Sequence, residues 1–112
     1  MKFRDLKIWK KGIEITKSCY LLTTTFPESE KFGLVSQMRR SAVSIPSNVA
    51  EGNGRETDKE FLRFLYIARG SLAELETQYF LSKELKFGKS SEMEIQIEEM
   101  YKMLHTFIQR LK

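Results

Sequence analysis

The sequence predicts an all-α protein, built as one antiparallel up-down-up-down four-helix bundle over residues 1–112. Apolar residues recur at alternating spacings of three and four in four separate stretches, and no stretch shows the sustained alternation of a strand. Turn-forming residues separate these stretches by about four to six residues, a loop length that favours antiparallel neighbours. A chain of 112 residues has room for a single core. We therefore expect one domain and no sheet.

The first helix is predicted from about Asp5 to Thr25. Phe26-Pro27 ends it, because proline disfavours helical backbone in the residue before it. One apolar seam, with members one helical turn apart, is predicted to face the core. Its residues are Leu6, Trp9, Ile13, Thr16 and Tyr20.

The second helix is predicted from about Ser29 to Glu51. Pro46 lies inside it, removes one backbone hydrogen bond and is expected to bend the helix. Gly52-Asn53-Gly54 is the predicted stop.

The third and fourth helices each begin with a predicted capping box. Thr57 and Glu60 would satisfy each other's free amides at the start of the third helix. This helix is predicted to continue to about Phe87, where Gly88 supplies a left-handed terminator. Ser91-Glu92-Met93-Glu94 is the corresponding box of the fourth helix, which runs to the C-terminus.

The first helix carries a second apolar seam, and the two seams together exceed the roughly 100° stripe that a surface helix buries. We predict that this second seam is an interface between copies of the chain. The alternative is a first helix inserted deeply into its own bundle, with both seams covered by neighbouring helices. The residues of the second seam are Ile8, Gly12, Ile15, Cys19 and Leu22.

Positive charge is concentrated at the N-terminus. Residues 1–20 hold six lysines and arginines against two acidic residues, which gives +4, equal to the net charge of the whole chain. Such a segment can attract phosphate backbones by releasing their counterions, although a solvated helix face has the same composition. The predicted nucleic-acid-binding residues of this segment are Arg4, Lys7, Lys10, Lys11 and Lys17.

The middle helices place charged residues among apolar ones, and two interpretations remain open. Arginines and carboxylates, including Glu51 and Glu74, form an inter-helix network, since the planar guanidinium binds a carboxylate through two hydrogen bonds. Alternatively, Arg39, Arg40 and Arg55 form an anion site at the mouth of the bundle and add to the nucleic-acid-binding set.

No catalytic or metal site is expected. His105 is the single histidine, and with Cys19 it falls short of the ligand sets that structural zinc requires. Gly52-Asn53-Gly54 lacks the Lys-Ser/Thr that completes a phosphate loop. The sequence thus predicts a protein that is not an enzyme and needs no cofactor.

The sequence also favours a cytoplasmic protein without a membrane role. No apolar run is long enough to span a bilayer, and the N-terminus lacks an apolar signal segment. One cysteine, Cys19, excludes an internal disulfide and suits a reducing compartment.

Several stretches together resemble a known family. They are Phe3-Arg4-Asp5-Leu6 with Trp9; the run Gln37-Met38-Arg39-Arg40-Ser41-Ala42-Val43-Ser44-Ile45-Pro46-Ser47-Asn48-Val49-Ala50-Glu51-Gly52; Gly54-Arg55; and Ala68-Arg69-Gly70-Ser71-Leu72-Ala73-Glu74-Leu75-Glu76-Thr77. The chain resembles the four-helix-bundle proteins encoded within intervening sequences of bacterial 23S rRNA genes, and is similar to the accessory variability proteins of diversity-generating retroelements. The resemblance implies a homopentameric ring of bundles with a basic surface.

The function expected from these features is a homo-oligomeric binding module that holds RNA or DNA electrostatically. Repeating a basic patch around a ring would strengthen it through multivalency. The alternative is a protein-interaction scaffold with a polypeptide partner and no direct role with nucleic acid.

Overall fold

The computed structural model describes residues 2–112, which form four α-helices and contain no strand. The helices are α1 (Lys7–Thr23), α2 (Leu34–Asn53), α3 (Asp58–Glu84) and α4 (Ser91–Leu111), with short 3-10 turns at Phe3–Asp5 and Glu28–Glu30. At about 1.5 Å per residue, the 27 residues of α3 span most of the 43 Å long axis of the molecule. The all-α prediction with four helices is confirmed.

Each helix packs against two others around one core. Helices α1 and α3 both contact α2 and α4. The core contains large side chains from all four helices, and the removal of their apolar surface from water is the main stabilising contribution to the fold. The largest fully buried side chains include Ile15, Met38, Ile45, Leu65, Leu72, Leu75, Met100 and Leu104.

The seam of α1 that faces the core is the one assigned above to an interface. Ile15 and Cys19 are completely buried within one chain, and Ile8 is 2% exposed; Gly12 and Leu22 are buried with them. The prediction that these five residues meet a second copy is wrong, because α2 and α4 flank α1 and already cover this seam.

The other seam of α1 is only partly covered. Leu6 is buried, but Trp9 and Ile13 are half-buried and Tyr20 is 42% exposed. Trp9 packs edge-on against Phe3, with 5.4 Å between ring centroids. The seam that was predicted to face the core is therefore partly exposed, and the seam that was predicted to be an interface lies in the core.

Helices α1 and α2 meet at a glycine and a proline. A Cβ atom on Gly12 would lie 3.1 Å from Cβ of Pro46 and 3.2 Å from its backbone nitrogen. Helix α2 continues through Pro46 to Asn53, so the proline is accommodated as a contact surface for α1.

The ends of α2 differ from their predicted positions. Residues 28–30 form a separate 3-10 turn, and the Glu30 carboxylate accepts a hydrogen bond from the Leu34 amide (3.1 Å) at the true start of the helix. At the other end Gly52 is still helical and buried. A Cβ there would lie 2.7 Å from Cβ of Phe64, so Gly52 allows α3 to approach α2 and does not stop the helix.

At the start of α3 the Thr57 half of the predicted capping box is present, whereas at its end the predicted terminator is replaced. Thr57 precedes the helix and its hydroxyl accepts a hydrogen bond from the Glu60 amide at 3.2 Å. At the C-terminus Lys86, with φ of 63°, adopts the left-handed conformation that was assigned to Gly88. The Lys86 and Phe87 amides donate to Lys83 and Ser82 carbonyls respectively, which is the Schellman arrangement.

Helix α4 is capped one residue earlier than predicted. The hydroxyl of Ser90 accepts a hydrogen bond from the Met93 amide at 3.1 Å, while Ser91 is the first helical residue. The Glu94 side chain bonds instead to Tyr79 and Lys83 on α3, which draws it away from the predicted box.

Among residues 2–112, no helix combines the length and the apolar character needed to cross a bilayer.

Candidate nucleic-acid interface

Three lysines of α1 are exposed and uncompensated. Lys7, Lys10 and Lys17 recur at helical spacing on the side of α1 that faces away from the core. None of them forms an ion pair with another residue in the described part of the chain. Arg4, in the turn before α1, is exposed as well. These four side chains are therefore free to meet phosphate groups.

Lys11 differs from its neighbours. Its ammonium group lies 2.9 Å from a carboxylate oxygen of Glu99 on α4 and 3.6 Å from Glu14, and 17% of its side chain is exposed. The hydrogen bond to Glu99, with further help from Glu14, raises the pKa of Lys11 against the opposing effect of burial. Lys11 links α1 to α4, so its predicted role in nucleic-acid binding is not supported by this geometry.

A groove runs between α1 and α4 and is bordered by Lys7 and Lys10, whereas Lys17 and Arg4 do not line it. It consists of two adjoining cavities of about 490 and 500 Å³, which share Lys7, Lys102 and Met103 as lining residues. We call it the α1–α4 groove. The first cavity is also lined by Lys10, Lys11, Glu14 and Glu99. The second is also lined by Asp5, Leu6, Ile8, Thr106, Phe107 and Arg110.

The charge of the groove is positive. Five cationic groups and three carboxylates line the two cavities, and two of the carboxylates, Glu14 and Glu99, are engaged with Lys11. Sequence reasoning missed Lys102 and Arg110, which face α1 from more than 90 positions further along the chain. Their spacing of eight residues on one side of an amphipathic helix was the available signal.

The three arginines assigned to α2 and its end do not form one site. Arg39 packs on Tyr20, with its guanidinium carbon 4.4 Å from the ring centroid, and its Nε donates to the Thr23 hydroxyl at 2.9 Å. Arg55 pairs with Glu51 at 2.8 Å. From Arg39 to the end of α2 at Asn53, the helix rises by about 21 Å. Arg39 and Arg55 are structural contacts at opposite ends, whereas Arg40 is exposed.

The alternative, a charged network between α2 and α3, is not found among residues 2–112 either. The Arg55–Glu51 pair joins two residues four apart in sequence and does not cross between helices. The polar link between α2 and α3 consists of hydroxyls: Ser44 and Ser71 lie 2.8 Å apart, and the Asn48 side-chain amide donates to Ser44.

A polar cluster on the other side of α4 has a structural role. The Tyr79 hydroxyl donates to Glu94 across 2.5 Å and accepts from the Ser90 amide, while Lys83 donates to the same Glu94 oxygen. Burial and the bond to Glu94 raise the pKa of Tyr79 to about 12. The bonds from Tyr79 and Lys83 lower the pKa of Glu94. The cluster fixes the turn between α3 and α4.

Among the described residues, no three histidine, cysteine or acidic side chains are grouped as metal ligands. Cys19 lies in the core, where burial raises the pKa of its thiol to about 11, and His105 is exposed on α4. These two residues do not meet.

The comparison with known families covers almost the whole chain. The family profile described as 23S rRNA-intervening sequence protein matches residues 4–106, a span that includes α1, α2 and α3 and most of α4. No curated protein matches the chain. The family match agrees with the resemblance of the Ser-Ile-Pro-Ser-Asn-Val-Ala-Glu-Gly run, and the chain belongs to the 23S rRNA-intervening sequence protein family.

Proposed function

We propose that this protein is a non-enzymatic binding module that holds RNA or DNA electrostatically through the α1–α4 groove. The observation that carries the proposal is the arrangement of Lys7 and Lys10 on one border of the groove and Lys102 and Arg110 on the other. Cations that face one channel can replace the counterions of a phosphate backbone together. The net charge of +4 on the whole chain acts in the same direction.

The proposal includes no catalytic step. The titratable groups with shifted pKa values are occupied by structural contacts: Lys11 by Glu99, Tyr101 by Glu76, Tyr79 by Glu94. Such groups mark a reactive site when they converge in a cleft. Tyr79, Glu94, Tyr101 and Glu76 do line one cavity between α3 and α4, but each tyrosine hydroxyl is already hydrogen-bonded to its carboxylate partner. We place the binding activity in the cytoplasm, where the buried thiol of Cys19 would remain reduced.

The test is a mobility-shift series from low to physiological salt. The variant Lys7→Glu/Lys10→Glu should bind every sequence more weakly and should reduce the slope of log K against log salt by about 2. Lys31→Glu/Lys59→Glu is the matched control with the same charge change, since Lys31 and Lys59 are exposed and lie outside the groove. Equal loss in both variants, or a flat salt dependence of the unmodified protein, would refute the proposal.

We further infer that consecutive helices run antiparallel, because residue numbers fall in one helix as they rise in its neighbour. Lys11 and Ser18 of α1 meet Glu99 and Gln96 of α4. The same trend holds between α2 and α3, where Ser44 meets Ser71 and Gly52 lies against Phe64.

We also propose that the protein assembles with copies of itself through α3, and the family resemblance implies five of them. Large apolar side chains are exposed on the solvent side of this helix, within an arc of roughly 140°, which we call the α3 outer face. They are Tyr66, Ile67, Phe80, Leu81 and Leu85. Gly70 lies on the same arc, and a Cβ there would meet no described atom within 4 Å.

Gly70 supports this proposal because nothing inside the chain requires it. A glycine in a helix interior costs about 1 kcal/mol relative to alanine, whereas a second helix gains a close approach at a position without a side chain. Ile67→Glu should lower the molar mass measured by light scattering and leave the helical content unchanged. Leu21→Glu, at a residue of α1 that is 74% exposed, is the matched control and should keep the mass of the unmodified protein. An unchanged mass for Ile67→Glu would contradict the proposal.

A scaffold for a polypeptide partner is the second candidate, and the same α3 outer face favours it. Purification from the native host with and without nuclease separates the two functions. A partner that survives nuclease and is lost in Ile67→Glu supports the scaffold. Nucleic acid that is lost in Lys7→Glu/Lys10→Glu supports the binding module.

A further inference from the structure

We infer that the α1–α4 groove selects single-stranded nucleic acid over a duplex, with an unstacked base on its apolar floor and the phosphates on its cationic borders. This inference rests on the proposed function, because it specifies which form of nucleic acid that groove accepts. The basis of this inference is the apolar floor of the groove, and not its positive charge.

The floor is formed by Ile8, Met103 and Phe107. Ile8 is 2% exposed, so the floor is continuous with the core, whereas Met103 and Phe107 are half-buried and open to the groove. Phe107 packs edge-on against Phe61, with centroids 5.5 Å apart and 62° between the rings, and this contact holds its ring in place. A fixed aromatic ring beside a polarisable thioether is a surface on which any base can pack.

The borders place charge on both sides of this floor. Lys7 from α1 and Lys102 from α4 line both cavities, and Met103 lines both as well. Lys10 extends the border at one end and Arg110 at the other. Lys102 and Arg110 are separated by about 12 Å along α4, so the cations follow the length of the groove. A strand lying along it would keep its backbone between two cationic rows.

The apolar floor is what distinguishes a single strand from a duplex. In a duplex the bases are stacked and paired. The side chains in the groove between α1 and α4 therefore cannot reach the faces of the bases. A single strand can turn a base out of its stack, and contact of that base with an aromatic side chain adds affinity that a paired base does not gain. A flat basic face would bind both forms according to their charge alone, but this groove adds an apolar contact that only the unpaired base can make.

The test compares labelled oligonucleotides by fluorescence anisotropy: a 12-nucleotide RNA strand, a DNA strand of the same sequence, and the blunt duplex of that DNA strand with its complement. We expect both single strands to bind about five-fold or more tightly than the duplex. Met103→Gln should weaken the single strands about five-fold and leave duplex binding within two-fold, while Met103→Leu should retain the preference. A 2-aminopurine base in the strand should change its fluorescence on binding to the unmodified protein, a readout that needs no variant.

The outcomes separate this inference from the function on which it rests. Equal affinity for strand and duplex, with no change in 2-aminopurine fluorescence, overturns the single-strand preference and leaves electrostatic binding intact. Absence of binding to all three oligonucleotides at low salt overturns both. Leu21→Gln, at an exposed apolar residue of α1 outside the groove lining, is the matched control and should not alter the preference.

Discussion

The hydroxyl oxygen of Thr16 in α1 lies 3.1 Å from the carbonyl oxygen of Ala42 in α2. That carbonyl is the one whose helical partner would be the backbone N–H at position 46, and Pro46 has none. Thr16 Oγ1 also lies 2.8 Å from the carbonyl of Gly12 in its own helix, so its single proton is available to either acceptor. A side chain from a neighbouring helix thus compensates for a proline, at the point where Gly12 lets the two helices touch.

We predict that Thr16→Val lowers the free energy of unfolding by about 1–3 kcal/mol, since it leaves a partly buried carbonyl without its donor. In a Pro46→Ala background the same substitution should cost less, because the restored backbone N–H bonds to Ala42. Urea unfolding of the four proteins gives the coupling energy directly. An identical cost of Thr16→Val in both backgrounds would show that the hydroxyl does not serve Ala42.

Two helical glycines should respond oppositely to alanine. Gly52→Ala should destabilise the protein by about 1–3 kcal/mol, because the new methyl group would lie 2.7 Å from Cβ of Phe64. Gly70→Ala should raise stability by about 0.5–1 kcal/mol, since its methyl group meets open space. Both are measured by urea unfolding at a protein concentration where the chain is monomeric. A stabilising Gly52→Ala would contradict the close approach of α2 and α3.

The thiol of Cys19 should be unreactive in the native protein. It is fully buried, and burial raises its pKa to about 11, so the nucleophilic thiolate is scarce at neutral pH. Reaction with an aromatic disulfide reagent should require opening of the bundle, and an opening free energy of about 3 kcal/mol would slow it about a hundredfold. The control is the same reaction in denaturant. Fast modification of the folded protein would place Cys19 at an accessible surface.

The Glu94 cluster should make stability depend on acid pH. Bonds from Tyr79 and Lys83 lower the folded-state pKa of Glu94 from its ordinary value of 4.5. The stabilisation is therefore fully present above the unfolded-state pKa and is lost as pH falls through the lower, folded-state value. Glu94→Gln should reduce stability at pH 7, and its difference from the unmodified protein should shrink by pH 3. Urea unfolding at both pH values measures this, and a difference that does not change with pH would contradict the assignment.

The number, type and approximate positions of the helices could be predicted because periodicity is a local property. The orientation of α1 could not. Its two seams are about equally apolar, and only the positions of α2 and α4 decide that Ile15 lies inside while Tyr20 lies partly in solvent. Excess apolar surface on one helix does not distinguish a covering partner from a deeply inserted helix.

The candidate site could be predicted only in part, because contacts between helices again decide which side chains are available. Lys10 and Lys11 are adjacent and chemically identical, yet one is free and the other is paired with Glu99, 88 residues away. The opposite border of the groove, from Lys102 to Arg110, belongs to α4 and has no signal in the basic N-terminal stretch. A predicted helix cap was wrong where a tertiary contact competed with it, since Glu94 bonds to Tyr79 instead of completing the capping box with Ser91.

The enclosure of Ile15 and Cys19 inside one chain separates folding from association. A protomer whose interior is complete does not depend on neighbours for its fold, so dilution would release intact monomeric bundles. Once the protein is monomeric, further dilution would not lower its thermal unfolding midpoint. Substitutions on the α3 outer face would then change the number of protomers that associate and leave the fold of each protomer unchanged.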